Sequence, residues 1–364
     1  MRRLRILTWH VHGSYLDALT RIDHEWLLPL KPGRPESYGG RAGRDLPPNA
    51  IEVPADQVRD RDVDLVLYQA TRNWTEDQDE ILSDDQRRLP RIFLEHNTPR
   101  PHPTDSKHVV DDPNVLLVHV THFNRLMWDN GRTPTTVIEH SVSVDPRLEA
   151  SGDIAGGISV VNELGRRGRL AGEDVFLAVR DRVPVVLAGM GSERYGGLGD
   201  LPYLALHREV ARRRFYFNPI RYTSLPLAVI EAMTIGLPIV ALATTELPTA
   251  IEDGVTGYVS CDVDALVERM RELIASPDDA RRMGRNARRV ALQRFGLARF
   301  ARDWNAAFSR VTGIPSEELA GLRDDLRVVR TERQEGSDGS GTAATSICAR
   351  QWRDGRADEQ GGEP

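Results

Sequence analysis

The feature that most limits how this chain can fold is a regular alternation of short β-rich runs with helical stretches. In the first half, strands are predicted at residues 5–9, 64–69, 91–95, 115–120 and 136–139. In the second half, they are predicted at residues 158–161, 185–188, 215–217, 238–241 and 257–260. Strands that alternate with helices form parallel sheets with helices on both faces. The predicted fold class is therefore α/β.

Length and composition along the chain indicate more than one domain. The 364 residues exceed what one compact domain usually holds and fit two domains of about 150 residues each. A Ser-, Gly- and Asp-rich stretch at 141–157 separates two halves of similar architecture. The predicted boundaries are 1–145 for the first domain, 146–157 for the linker, 158–295 for the second domain, 296–330 for the closing helices and 331–364 for a disordered tail.

Composition argues against several classes of function. The 48 basic and 54 acidic residues are well mixed and give a net charge of −6, which disfavours a nucleic-acid partner. The cysteines, Cys261 and Cys348, have no metal-ligand spacing, so no metal site or disulfide framework is expected. No apolar run approaches the ~20 residues that span a bilayer. We expect a soluble cytoplasmic protein whose membrane contact is at most peripheral, at the inner face.

A lone carboxylate in an apolar helix is the most informative local feature. The run 225–237 is apolar except for Glu231 and Thr234. We expect the helix to begin after Ser224 as the N-cap residue, with Pro226 in its first turn, and its free amides to bind an anion. Glu231 lies about 10 Å further along at 1.5 Å per residue. A ribose diol would satisfy this carboxylate and phosphates would bind at the cap; the alternative is that Glu231 pairs with an arginine.

The segment "FYFNPIRYTSLPLAVIEAMTIGLPIVA" resembles the donor-binding segment of retaining GT-B glycosyltransferases of group 1, family four-like. The matching residues are Pro219, Arg221, Glu231, Ala232, Met233, Gly236 and Pro238. The stretches "TAIEDGVTGYV", "VTHFNRLMWDNGRTPTTVIEHSVSVDP" and "MGRNARRVALQRFGLARFARDW" extend the resemblance over residues 115–310. It implies two Rossmann-like domains that face a central cleft, with the acceptor on the first, the nucleotide sugar on the second, and closing helices that return to the first.

The chain departs from this family at the sugar. The family carries two glutamates eight residues apart, and the first of them, which lies near the donor sugar, corresponds to Thr223. Its glycine-rich turn becomes Ser224, Leu225 and Pro226. Threonine can hydrogen-bond a sugar hydroxyl but supplies no charge. The resemblance therefore implies that Glu231 keeps the ribose role and that the contact with the sugar is altered.

The family also holds the donor diphosphate with an arginine and a lysine, and "VVNELGRRGRLAGEDVF" occupies that place ambiguously. If Gly165-Arg166 is the matching pair, the lysine position holds Ala171. If Arg167-Gly168 stands for Lys-Gly, the arginine position holds Asn162. The candidate cations are Arg166, Arg167 and Arg169. The alternative is that this stretch is an exposed basic turn.

Glycines and a histidine complete the set of candidate residues. The resemblance implies that Gly189 and Gly191 lie near the nucleotide base, that the loop with Gly13 and Ser14 approaches the donor, and that His96 meets the donor sugar. The alternative for His96 is a loop histidine satisfied by the backbone. A long Gly- and Pro-rich segment at 31–49 is a candidate acceptor loop.

Together these features predict a glycosyltransferase that moves a sugar from a nucleoside-diphosphate sugar to a hydroxyl acceptor with retention of configuration and without a metal. Arg166 and the Ser224 helix terminus would stabilise the leaving diphosphate, and His96 would meet the sugar. No cofactor is expected; the co-substrate is a UDP- or GDP-sugar and the acceptor a lipid or a saccharide, as in carbohydrate and cell-envelope biosynthesis. The alternative is a non-catalytic nucleotide-sugar-binding or scaffolding protein on the same fold, which Thr223 and the displaced lysine favour.

Overall fold

The computed structural model describes residues 1–323 of the chain. The predicted tail at 331–364, with Cys348, lies outside the described residues, as does the end of the predicted closing segment. No helix within residues 1–323 is long and apolar enough to cross a membrane.

The first domain is built on a sheet of seven parallel strands. They are β1 (Arg5–Thr8), β2 (Glu25–Leu30), β3 (Ala50–Pro54), β4 (Leu65–Tyr68), β5 (Arg91–Glu95), β6 (Val115–His119) and β7 (Thr135–Val137). Their order across the sheet is β3-β2-β1-β4-β5-β6-β7. The helices of this domain are α1 (Gly13–Thr20), α2 (Gln78–Ile81) and α3 (His122–Met127).

The second domain has a smaller sheet of five parallel strands. They are β8 (Ile154–Val160), β9 (Val185–Ala188), β10 (Arg213–Asn218), β11 (Ile239–Leu242) and β12 (Gly257–Ser260), in the order β12-β11-β10-β8-β9. Its helices are α4 (Leu164–Ala171), α5 (Glu173–Arg180), α6 (Tyr203–Ala211), α7 (Leu227–Ile235), α8 (Leu247–Ala250), α9 (Val263–Ala275) and α10 (Pro277–Arg294); α11 (Leu297–Thr312) follows.

Several strands of the two sheets are fully buried because helices cover both faces. Every residue of β6, with the sequence VLLVH, is buried, as is every residue of β4 and β11. Continuous apolar runs of this kind are typical of parallel strands with no solvent-facing side. The predicted α/β class with two parallel sheets is confirmed.

Strands β2 and β3 are missing from the sequence prediction. Pro29 argues against a strand, since proline cannot donate to a ladder. In the structure β2 pairs with β1 only from Glu25 to Leu27, so Pro29 lies beyond that ladder and has no β1 partner to lose. The start of β8 was also predicted too late, because Ile154 opens this strand inside the predicted linker.

Two crossings of the chain join the domains, and they are tied to each other. The hydroxyl of Ser141 in the first crossing donates to the carbonyl oxygen of Phe295 in the second at 2.8 Å. Arg294 forms an ion pair with Glu139 beside them. After the second crossing, α11 packs on the first domain, where its aromatic side chains join the core around Tyr15. The relative position of the two domains is therefore set by side-chain contacts as well as by the connecting chain.

A buried histidine fixes α11 to the first sheet. His24 is fully buried, its Nδ1 accepts from the backbone N–H of Leu4 at 3.2 Å, and its Nε2 lies 3.0 Å from Oδ1 of Asn305. Since Nδ1 accepts, Nε2 carries the proton and the ring is neutral. Burial lowers the pKa of His24 to about 4.

Candidate functional site

The carboxyl ends of the two sheets face each other across a cleft, where ligands collect in open α/β sheets. A cavity of about 540 Å³ lies at this seam. The first domain contributes His12, Ser14 and Arg44 to its wall. From the second domain it is lined by Val160, Val161, Asn162, Glu163, Arg166, Arg167, Gly189, Met190, Asp200, Leu201, Tyr203, Leu206, Ile220, Thr223, Pro226, Leu227, Ala228 and Glu231.

Glu231 lies on α7 in the wall of this cavity and is 7% exposed. Its Oε1 accepts a hydrogen bond from the hydroxyl of Tyr203 at 2.9 Å, and its Oε2 lies 3.5 Å from Nε2 of His207. Burial, and next the charge of Glu231, raise the pKa of Tyr203, so the phenol keeps its proton and donates. Within residues 1–323, Glu231 thus has a tyrosine as its hydrogen-bond partner and a histidine ring beside it, and the expected alternative of an arginine pair is wrong. Lone pairs on both carboxylate oxygens are left for a ligand.

The predicted start of α7 is wrong by two residues. The N-cap residue is Pro226, which has no side-chain oxygen, and the helix begins at Leu227. Ser224 and Leu225 are buried and do not line the cavity, because the preceding loop turns them into the domain. The first turn of α7 still opens on the cavity through Leu227 and Ala228, and Thr223 lines it as well.

Of the three candidate arginines, Arg166 and Arg167 line the cavity, and Arg169 does not. Arg169 is exposed and forms an ion pair with Asp174 at 2.8 Å. Arg166 lies 3.8 Å from Glu163. Arg167 is partly buried, and within residues 1–323 its guanidinium has no hydrogen bond or ion pair. Burial lowers the pKa of Arg167, and the positive charges of Arg100 and Arg166 lower it further.

The turn that carries these arginines has an unusual backbone. Glu163, the N-cap residue of α4, has a φ of 54°, and Gly168 breaks the helix with a φ of 49°. A non-glycine residue in the left-handed region is uncommon and is often found at a functional site. Oδ1 of Asn162 accepts from the backbone N–H of Met190 at 3.0 Å, which joins this turn to the loop after β9.

Gly189 lines the cavity, and Gly191 lies just outside it. Gly189 has a φ of 116°, and a Cβ there would lie 2.7 Å from Oδ1 of Asn162. A side chain at this position would therefore push the loop apart. Gly191 instead begins the short 3₁₀ turn Ser192–Tyr195.

On the first-domain side, α1 begins at Gly13 and its Ser14 lines the cavity. Gly13 itself is covered, because a Cβ at this position would overlap the guanidinium of Arg44. Arg44 belongs to the predicted acceptor loop at 31–49 and lines the cavity, so this loop forms part of the cavity wall.

His96 does not reach this cavity. It is buried, its Nε2 lies 3.1 Å from Oε1 of Gln69, and its ring packs edge-on against that of His12, with centroids 4.3 Å apart. Burial, followed by the charges of His12 and His140, holds the pKa of His96 well below its usual range. His12 stands between His96 and the cavity, and burial lowers the pKa of His12 to about 4. His12 is therefore the neutral imidazole that the first domain presents to a ligand.

A second cavity, of about 440 Å³, lies in the first domain and shares His12 with the cavity at the seam. Its wall combines amide, hydroxyl and carboxylate side chains with one indole ring. The lining residues are His10, Val11, His12, Glu36, Ser37, Gln69, Ala70, Thr71, Glu95, Asn97, Thr98, Arg100 and Trp128. Glu36 and Ser37 come from the predicted acceptor loop.

Several residues of the cavity at the seam were not found from the sequence. Tyr203 begins α6, Asp200 and Leu201 immediately precede this helix, and Arg44 comes from the other domain. The sequence signal for Tyr203 is weak, because a tyrosine at a helix start is common in cores and surfaces alike. Only the packing of α6 against α7 brings it to Glu231.

Comparisons with known proteins agree with this geometry. Residues 195–290 match the family model for glycosyl transferases, group 1. Spore coat protein SA of Bacillus subtilis is 33% identical over 90 residues, which are 23% of this chain and 24% of that protein, so the match spans about a quarter of the relative's length.

Among solved structures, sucrose-phosphate synthase of Thermosynechococcus elongatus superposes with a TM-score of 0.64 at 14% identity, over 85% of this chain and 100% of that chain. HepE of Anabaena in complex with UDP-glucose gives the same TM-score, identity and coverage. These likenesses show that the chain has the GT-B fold.

Proposed function

We propose that this protein is a glycosyltransferase that takes a sugar from a nucleoside-diphosphate sugar and transfers it, with retention of configuration, to a hydroxyl group of an acceptor. The observation that carries the proposal is that one cavity holds a carboxylate with free lone pairs, Glu231, and a partly buried guanidinium, that of Arg167, which has no hydrogen bond or ion pair within residues 1–323. A nucleotide supplies the groups that both require, a ribose diol and a diphosphate. The match of residues 195–290 to group 1 glycosyl transferases supports the same assignment.

The donor would lie along the wall formed by the second domain. Its ribose hydroxyls donate to Glu231, and its diphosphate meets Arg166, Arg167 and the first turn of α7. The base lies toward Gly189, which lines this wall of the cavity. HepE, which shares the fold, was solved with UDP-glucose, and this supports a uridine nucleotide as the first donor to test.

The acceptor would enter from the cavity in the first domain. Its amides, hydroxyls and carboxylates suit the hydroxyl groups of a saccharide, and Trp128 offers an apolar ring for the C–H face of a sugar. Because His12 lies in both cavities, an acceptor hydroxyl beside it would be close to the donor sugar.

In the transfer step, the bond between the anomeric carbon and the phosphate oxygen breaks, and its electron pair stays on the diphosphate. The acceptor oxygen forms the new bond on the same face of the sugar, and its proton passes to the leaving phosphate oxygen. Arg166 and Arg167 lower the energy of this step because they meet the charge that develops on the diphosphate. No side-chain nucleophile and no metal enters this scheme.

A non-catalytic sugar-nucleotide-binding protein is the second candidate, and Thr223 is the observation that favours it. Thr223 lines the cavity where the resemblance implies a carboxylate beside the sugar. Both candidates bind the nucleotide, so turnover separates them.

The first test is a thermal-shift screen with UDP, GDP, ADP and their sugar conjugates. A ligand present at 100 times its dissociation constant should stabilise the protein by about 2.7 kcal/mol. We expect one nucleotide to give this shift in the wild type but not in Glu231→Ala. A protein that no nucleotide stabilises would contradict both candidates. Proton NMR of the anomeric centre in donor and product then decides between retention and inversion.

A further inference from the structure

We propose that Arg100, a residue of the first domain, is a further cation of the diphosphate site and completes it from the opposite side of the cleft. The proposal rests on the proposed function, since it assumes that a nucleoside diphosphate binds beside Arg167. It adds a ligand contact that no motif in the second domain supplies.

The chain around Arg100 is fastened to the second domain. The hydroxyl of Tyr222 donates to the carbonyl oxygen of Pro99 across the seam at 3.3 Å. The ring of Tyr222 also packs edge-on against Phe123 of the first domain, with centroids 6.3 Å apart. These contacts hold the residue that follows Pro99 at the domain boundary.

Tyr222 is in turn fastened to the helix that carries the cavity arginines. The backbone N–H groups of Arg221 and Tyr222 donate to the carbonyl oxygen of Leu170 on α4 at 3.0 and 3.4 Å. Leu170 follows Arg167 by three residues, just beyond the break at Gly168. A continuous set of contacts therefore places the loop of Arg100 beside the turn of Arg167.

Arg100 has no ion-pair partner in the described part of the chain. Arg100 is exposed, lines the first-domain cavity, and makes no hydrogen bond or ion pair within residues 1–323. The guanidinium of Arg167 likewise makes no hydrogen bond or ion pair within residues 1–323. After burial, the positive charge of Arg100 is the larger of the two neighbouring charges that lower the pKa of Arg167. An anion between the two side chains would convert this repulsion into two attractions.

This arrangement gives the first domain a part in both binding and chemistry. A diphosphate held between Arg167 and Arg100 draws the domains together, because each supplies one cation. Charge accumulates on the diphosphate as the bond to the sugar breaks, and Arg100 then meets it from the face that the second domain leaves open.

The test uses isothermal titration calorimetry on the full chain with UDP, GDP and ADP, and then with the monophosphate of the nucleoside that binds. Arg100→Gln should reduce the preference for diphosphate over monophosphate about tenfold. This factor corresponds to the lower end of the free energy that one hydrogen bond between charged groups contributes. Arg100→Lys should recover part of that preference. The control is Arg88→Gln, since Arg88 is an exposed first-domain arginine paired with Asp85 at 3.2 Å.

The outcomes separate this inference from the proposed function. If Arg167→Gln reduces the diphosphate preference and Arg100→Gln leaves it unchanged, Arg100 is not a diphosphate ligand and the proposed function stands. If the wild-type protein binds none of the three nucleotides, the proposed function fails and this inference fails with it. An unchanged melting temperature of unliganded Arg100→Gln excludes loss of folding as the cause of a weaker preference.

Discussion

Replacing Glu231 by glutamine should remove most of the protein's ability to distinguish a ribonucleotide from its 2′,3′-dideoxy analogue. Glutamine keeps the shape of the side chain and one acceptor oxygen but removes the charge. Tyr203 already donates to Oε1 at 2.9 Å, and each carboxylate oxygen keeps a lone pair for one ribose hydroxyl. The two hydroxyls of the diol can therefore both donate to Glu231 in the wild type.

The expected size of the effect follows from these two bonds. A hydrogen bond to a charged group contributes about 1.5–3 kcal/mol, so the wild type should prefer the ribonucleotide by about 3 kcal/mol or more, which is more than a hundredfold. With one neutral acceptor left, Glu231→Gln should retain a preference of about 1 kcal/mol. The coupling between the side chain and the diol is then about 2 kcal/mol.

Calorimetric titration of both nucleotides into both proteins measures this coupling directly. Glu173→Gln is a matched control, because Glu173 also accepts from a tyrosine hydroxyl, that of Tyr195, but does not line the cavity. The control should keep the wild-type preference. If the wild type binds the dideoxy nucleotide as tightly as the ribonucleotide, Glu231 does not hold the ribose and the orientation of the donor is wrong.

Three further predictions concern charge and protonation. Arg167→Gln should weaken nucleoside-diphosphate binding by about ten- to a hundredfold in calorimetry, because it removes a charge-assisted contact. The same substitution should leave the melting temperature of the unliganded protein unchanged, because the guanidinium of Arg167 has no hydrogen bond or ion pair within the described residues. Thr223→Glu should lower the rate of sugar transfer, because it places a charge in the cavity wall where the proposed donor sugar would lie; a gain in rate would indicate a degenerate site. The contribution of His24 to the free energy of unfolding should be fully present above pH 6.5 and fall by up to about 3 kcal/mol between pH 6.5 and 4, because the folded state resists protonation of this ring. Urea titrations of the wild type and of His24→Gln across this pH range measure the loss.

Local patterns in the sequence were sufficient to predict much of the fold. The nearly continuous apolar runs of β4, β6 and β11 identify buried parallel strands, since few other structures bury every side chain of a short segment. The position of α7 and the conspicuous carboxylate of Glu231 are likewise readable, because one polar residue in an apolar helix requires a partner. These features depend on neighbours in the chain.

Contacts between distant segments decided the rest. Pro29 is unfavourable in a strand when the sequence is considered alone, but the ladder between β2 and β1 ends at Leu27, so the missing N–H of Pro29 is not needed. The sequence favoured Arg166 and kept Arg167 and Arg169 as further candidates. The fold excludes Arg169, because Asp174 pairs with it outside the cavity.

The first-domain side of the site shows most clearly what only the tertiary structure decides. The sequence placed His96 at the donor, whereas the fold buries it behind His12. Nothing in the local sequence distinguishes Arg44 from the other residues of the predicted acceptor loop, or marks Arg100 as a site residue. Both reach the cleft because contacts between residues far apart in sequence join the two domains there. The sequence alone therefore determined the α/β class with two parallel sheets and the carboxylate of Glu231. The packing of one domain against the other determined which cations line the proposed ligand site, because no local sequence pattern encodes the distance from a side chain to the opposing domain.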